Sequence, residues 1–148
     1  MQNGKCKNQN EKNLRVPGNL SERLENFAAE VIKWVRRINK TFAGRHIAGE
    51  VIRSSTSAGA NYEEACGAES RQDFIHKLQI VLKELKESLF WLRVSVKAEL
   101  TTAEGMEFLL EEGNELANII GKSVITAKRN NPRDRRTPTQ KSMDKLVH

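Results

Sequence analysis

Two apolar rows run along residues 74–96, Leu78/Leu85/Leu92 and Ile75/Leu82/Leu89/Val96, each returning every seven positions. A seven-residue repeat keeps a row on one stripe of a helix and suits neighbours packed nearly parallel at a shallow angle. A helical bundle is therefore predicted in place of a crossed, globin-like packing. Phe90 and Trp91 lie outside both rows. They widen the apolar arc beyond what one seam requires, and the surplus predicts a subunit interface as well as a core.

Three further helical patterns accompany this one. Pro17-Gly18 closes a polar leader, and Asn19 with Glu22 has capping-box spacing for a helix beginning near Leu20. Leu24, Phe27, Val31, Trp34, Val35, Ile38 and Phe42 form its buried stripe at steps of three and four. Ala43-Gly44 then interrupts. A second helix is expected from about His46 through Ile47, Val51, Ala58, Tyr62 and Ala65, with Gly67 as its stop. Ser70 and Asp73 cap the heptad helix, and Thr101 with Glu104 opens a fourth one, marked by Met106, Leu109, Gly113, Leu116, Ile120 and Val124 and ending near Lys128. Strand-like alternation is missing. The predicted fold is all-α, an antiparallel up-down-up-down four-helix bundle over residues 20–128, with helices about 30 to 42 Å long joined by short turns.

Length and charge sharpen this reading. A chain of 148 residues is one ordinary domain, large enough to bury a core without disulfides or metal. The net charge of +6 is unevenly placed. The leader, 1–19, has Lys5, Lys7, Lys12 and Arg15 against Glu11 alone. The tail, 129–148, together with Lys128, has seven basic residues against Asp134 and Asp144. Residues 20–127 are slightly acidic, with 14 basic and 16 acidic side chains. Both tails are expected to be disordered, because neither holds enough apolar surface to bury. Cys6 and Cys66 show neither zinc-ligand spacing nor the density of a disulfide scaffold, and no run approaches the ~20 apolar residues of a membrane span. A cytoplasmic protein is expected, without membrane association or secretory leader.

Several polar constellations need a physical reading. Ser54-Ser55-Thr56-Ser57, with Gly59 and Ala60, resembles a phosphate cradle only superficially, since a helix interior satisfies its own amides and offers no N–H nest. No His stands at a defined spacing to activate a serine. Close approach of helix backbones is the expected role. Arg53, Ser57, Asn61 and Glu64 follow at steps of three and four, and a polar seam fixing register or subunit contacts is expected from them, together with Gly59 and Trp91. Asp73 and His76 make one imperfect carboxylate–His step, whereas a di-iron bundle needs two such pairs and two more carboxylates. Glu63 and Glu64 diverge by about 100° on a helix and do not oppose each other as acid and base. No catalytic residue, metal or cofactor is predicted.

Two motifs carry a resemblance. Residues 46–65, HIAGEVIRSSTSAGANYEEA, are similar to the signature helix of the four-helix-bundle family of proteins encoded in 23S ribosomal RNA intervening sequences. The likeness continues through Ser70-Arg71-Gln72-Asp73-Phe74-Ile75-His76-Lys77-Leu78 and Lys83-Glu84-Leu85-Lys86-Glu87 to Trp91-Leu92, covering about residues 20–128. Glu50 stands where many relatives carry Gln, and the basic tail lies outside the family pattern. The resemblance implies a bundle that assembles into rings, pentamers in particular, with no established catalytic activity. Some relatives accompany the reverse transcriptases of diversity-generating retroelements as accessory subunits that bind the polymerase and nucleic acid.

The resulting expectation is a non-enzymatic homo-oligomer that binds RNA or DNA. Arg36, Arg37 and Lys40 near the end of the first helix, and Lys128, Arg129, Arg133, Arg135 and Arg136 in the tail, are the candidate phosphate contacts. A reverse transcriptase is a possible protein partner implied by the resemblance. The alternative is a protein-interaction scaffold presenting the acidic face of Glu104, Glu107, Glu111, Glu112 and Glu115.

Overall fold

The computed structural model describes residues 19–130. The leader up to residue 18 and the tail from residue 131, with Arg133, Arg135 and Arg136, lie outside the described residues. Four helices follow in order: α1 (Leu20–Val35), α2 (Phe42–Cys66), α3 (Arg71–Lys97) and α4 (Met106–Arg129). They form an all-α, up-down-up-down bundle in which sequential neighbours pack together and α1 closes on α4 through a smaller interface than theirs. At one end, called the upper end below, the α1–α2 turn meets the α3–α4 turn, where the Asn39 amide donates to the Leu100 carbonyl at 2.9 Å. At the lower end Ser21 bonds Glu63, and Arg71 donates to the Ala127 carbonyl at 3.3 Å.

The buried face of α3 keeps a seven-residue period but includes a row that apolar spacing alone does not reveal. Phe74, Leu78, Val81, Leu85, Ser88, Leu92 and Ser95 alternate steps of four and three, and all are buried. The expected row Ile75/Leu82/Leu89/Val96 lies on the flank, half-buried except for Leu89. Ser88 and Ser95 conceal the true second row from a hydrophobic reading. Matching four-three stripes occur in α1, with Leu20, Leu24, Phe27, Val31 and Trp34, and in α4, with Leu109, Gly113, Leu116, Ile120, Ser123 and Ala127. Such stripes let knobs of one helix enter holes of the next along the bundle.

The ends correct several expectations. Ser70 caps α3 as predicted, accepting from the Asp73 amide at 3.1 Å. Asn19 makes no side-chain cap bond; its backbone, φ −126° and ψ 19°, departs from the extended geometry that directs a cap side chain at the first-turn amides. Thr101 and Glu104 fall in a turn, and α4 starts after Gly105, whose φ of +75° suits glycine. α1 stops at Val35, and α2 starts earlier than expected because Thr41 accepts from the Gly44 amide at 3.1 Å. Gly44 is thus no interruption. A Cβ there would lie 1.8 Å from the Asn39 carbonyl oxygen, so glycine is what lets the turn close. Phe42, expected on the buried stripe of α1, instead opens α2 and is 85% exposed.

α3 ends in a paired-bond stop. The Glu99 amide donates to the Val96 carbonyl and the Leu100 amide to the Ser95 carbonyl, both at 3.0 Å, with Glu99 itself at φ +58°. This is the Schellman arrangement, with a glutamate where glycine is usual.

Candidate nucleic-acid interface and polar seam

α2 packs on α3 across the most extensive helix pair in the bundle, and Ser54 among its small residues meets α3 directly. Ser54, Ser55 and Ala58 are fully buried, and the Ser88 hydroxyl of α3 donates to Ser54 Oγ at 2.9 Å. The Ser54 hydroxyl in turn donates to the Glu50 carbonyl at 2.8 Å, as a serine inside a helix commonly does. Among the described residues no buried side-chain nitrogen or oxygen lacks a partner. These serines are therefore occupied by packing and internal bonding. Gly59 lies beside Leu24 of α1, where an added Cβ would make ordinary contact at 3.9 Å. Between helices the tight glycine is Gly113 in α4, whose Cβ would approach Leu89 Cδ2 to 2.7 Å and the Phe27 ring to 3.2 Å.

Two of the four predicted seam residues cross to α3. Arg53 donates to Glu50 within α2 at 3.1 Å, to Glu84 of α3 at 3.2 Å, and to Glu87 of α3. Hydrogen bonding to Glu50 and then Glu87 raises the Arg53 guanidinium above its ordinary value. Partial burial pushes the Glu87 carboxyl up, but hydrogen bonds from Arg53 and Trp91, with the charges of Arg53 and Lys83, outweigh it and hold the group below the usual carboxylate range. Glu64 pairs with Lys77 of α3, and bonding to Glu64 raises the Lys77 ammonium. Ser57 and Asn61 stay within α2, the Asn61 amide donating to the Ser57 carbonyl at 2.9 Å. Facing partners on α3 were the missing signal. Glu84 and Glu87, three residues apart, flank the buried positions Leu85 and Ser88 and so meet Arg53 at the seam's edge.

Trp91 is half-buried above this network. Its indole N–H donates to Glu87 at 3.3 Å, and its ring lies edge-on to His46 of α2 at 6.0 Å and to Phe90 at 5.0 Å. Phe90 remains 50% exposed. Among the described residues no group of three His, Cys, Asp or Glu side chains is placed to hold a metal ion.

The basic residues divide between the two ends. Arg36, Arg37 and Lys40 fall in the connection between α1 and α2, all exposed, and Arg45 and Lys97 join them at the upper end. Arg37 donates to the Glu104 carbonyl at 2.8 Å, beside the Trp34 indole, which donates to the same oxygen at 3.0 Å. Arg45 reaches back to the Lys40 carbonyl at 2.6 Å. None of the ion pairs among the described residues uses Arg36, Arg37, Lys40 or Arg45. The exposed carboxylates Glu99, Glu104 and Glu107 at this end are outnumbered by these five cations. Lys128 and Arg129 occupy the last turn of α4 at the lower end, roughly 35 Å away along a helix of this length. Glu22, Glu63, Glu69 and Asp73 share that end. The two predicted basic groups are not one surface.

Among the described residues no helix is long and apolar enough to cross a membrane. No curated protein matches the chain. A crystal structure of a protein of unknown function from the S23 ribosomal protein family of Bacteroides thetaiotaomicron is similar at 30% identity and a TM-score of 0.64, covering 71% of this chain and 97% of that one. The family model for 23S rRNA-intervening sequence proteins matches residues 19–122, which takes in all of α1, α2 and α3 and most of α4. With its serine-rich α2 packed on the heptad face of α3, the chain belongs to the family of 23S rRNA-intervening sequence proteins.

Proposed function

We propose that this protein is a non-enzymatic, homo-oligomeric bundle, assembled as a pentameric ring, that binds RNA or DNA as an accessory subunit of a nucleoprotein or reverse-transcriptase complex. The observation that supports nucleic-acid binding is the upper-end cluster Arg36, Arg37, Lys40 and Arg45, exposed and free of carboxylate ion pairs. A cation already paired with a carboxylate must exchange one anion for another. These four can instead neutralise phosphates and release counterions. Lys128 and Arg129 form a second contact at the lower end, and in a ring several copies raise the effective concentration of both. Phe90 and Trp91, on the outer side of α3, supply apolar surface for the subunit contact.

A protein partner is the second reading. Phe108, 61% exposed on α4, lies between the exposed Glu107 and Glu111 and suits a basic, apolar partner surface. Fluorescence anisotropy of labelled RNA with the full chain, at low and physiological salt, separates the two. Salt-sensitive binding is the expected result; no binding at either salt, with stoichiometric capture of one protein, favours the scaffold. Sedimentation of the same sample gives the assembly mass.

A further inference from the structure

We infer that Phe42, between Lys40 and Arg45 in the chain at the upper basic end, is a base-stacking platform, so that this end of the bundle prefers single-stranded nucleic acid to duplex. The inference rests on the nucleic-acid reading above and gives that site its ligand class. A first-turn aromatic with 85% of its surface in water contributes nothing to this core. Single exposed apolar residues are common on proteins and need no special account. Phe42 differs in its setting. Arg36, Arg37 and Lys40 precede it, Arg45 follows it, and the chain holding all five side chains is fixed in place.

That fixation has four parts. Thr41 caps α2 directly before Phe42, accepting from the Gly44 amide at 3.1 Å. The Asn39 carbonyl packs on Gly44 so closely that only glycine fits. The Asn39 amide bonds Leu100 across the bundle at 2.9 Å, and Arg45 bonds the Lys40 carbonyl at 2.6 Å, linking the residues on either side of Phe42 in the chain. An aromatic ring carried on such a turn loses little conformational freedom when a base stacks on it. Bases in a single strand offer their faces to an aromatic ring, and flanking cations track the backbone, whereas a duplex keeps its faces stacked internally. Stacking is tolerant of sequence, so the preference is for strandedness and not for a base order.

The test compares a labelled single strand of about 15 nucleotides, near the upper size of a compact single-strand site, with its duplex, using the full chain. The wild type is expected to bind the single strand more tightly. Phe42→Ala is expected to weaken single-strand binding by about 5- to 100-fold, with little effect on duplex, while Phe42→Trp retains it. Arg36→Glu with Lys40→Glu is expected to weaken both ligands. Circular dichroism confirms folding of each variant, and Phe42 is exposed enough that its loss should not alter the bundle. If the charge reversals weaken binding but Phe42→Ala affects neither ligand, the stacking inference is overturned and the nucleic-acid reading stands. If the charge reversals also change nothing, the upper-end site fails and the inference with it.

Discussion

Ser88 donates to Ser54 at 2.9 Å across the α2–α3 seam, and both side chains are fully buried. Two serines occupy seam positions where leucine or isoleucine is the usual knob, so the backbones of α2 and α3 stay close and their register is fixed by a directional bond. Removing both hydroxyls tests this directly. A double-mutant cycle of Ser54→Ala and Ser88→Ala is expected to give a coupling energy of about 0.5–1.5 kcal/mol by chemical denaturation. Ser88→Leu, which pushes the helices apart, is expected to destabilise by about 1–3 kcal/mol.

Two helical glycines should respond differently to alanine. Gly59→Ala adds a methyl group that meets only Leu24 at 3.9 Å, and the gain in helix propensity is expected to stabilise by roughly 0.5–1 kcal/mol. Gly113→Ala drives a methyl group against Leu89 and the Phe27 ring, and strain of about 1–3 kcal/mol is expected to cancel or exceed the same gain. Urea titration of both variants checks the contrast.

Glu99 holds a left-handed conformation at φ +58°, which a side chain disfavours. Glu99→Gly relieves that strain while keeping the two amide bonds that close α3. A net stabilisation of about 0.5–1 kcal/mol is expected, after the extra unfolded-state freedom of glycine is set against the relief. A rise in the thermal midpoint is the readout.

Acid should act partly through Glu87. Its folded pKa lies below the ordinary carboxylate value, so its contribution is complete above the unfolded value, near 4.3, and is lost as pH falls through the lower folded value. Glu87→Gln cannot titrate. Between about pH 5 and pH 3 the variant is therefore expected to lose stability less steeply than the wild type, measured by denaturation at each pH. An equal slope would show that Glu87 contributes no acid sensitivity.

Much of the architecture was legible because periodicity survives in any strongly amphipathic helix. The four elements, their order and the Ser70 cap follow from spacing alone. The misread helix faces share a cause: the determining residue was small or polar. Ser88 and Ser95 occupied a seam row that apolar counting shifted to Ile75 and Leu82. Gly44, read as an interruption, is the point where the Asn39 carbonyl packs on α2, and so the stripe of α1 was extended falsely to Phe42. The Arg53 network was half visible, since one helix shows a polar stripe but not the Glu84 and Glu87 that face it. The antiparallel order expected from the sequence already separates Arg36, at the end of the first helix, from Lys128, at the end of the fourth.

The most direct measurement is the salt dependence of RNA affinity for the full chain and for its Arg36→Glu, Lys40→Glu variant. Each phosphate contact contributes about 0.7 to the slope of log affinity against log salt for a single strand. The account predicts weaker binding by the variant and a slope shallower by roughly 1.4 if both contacts are lost. Equal affinity and equal slope would contradict a nucleic-acid interface at the upper end of the bundle.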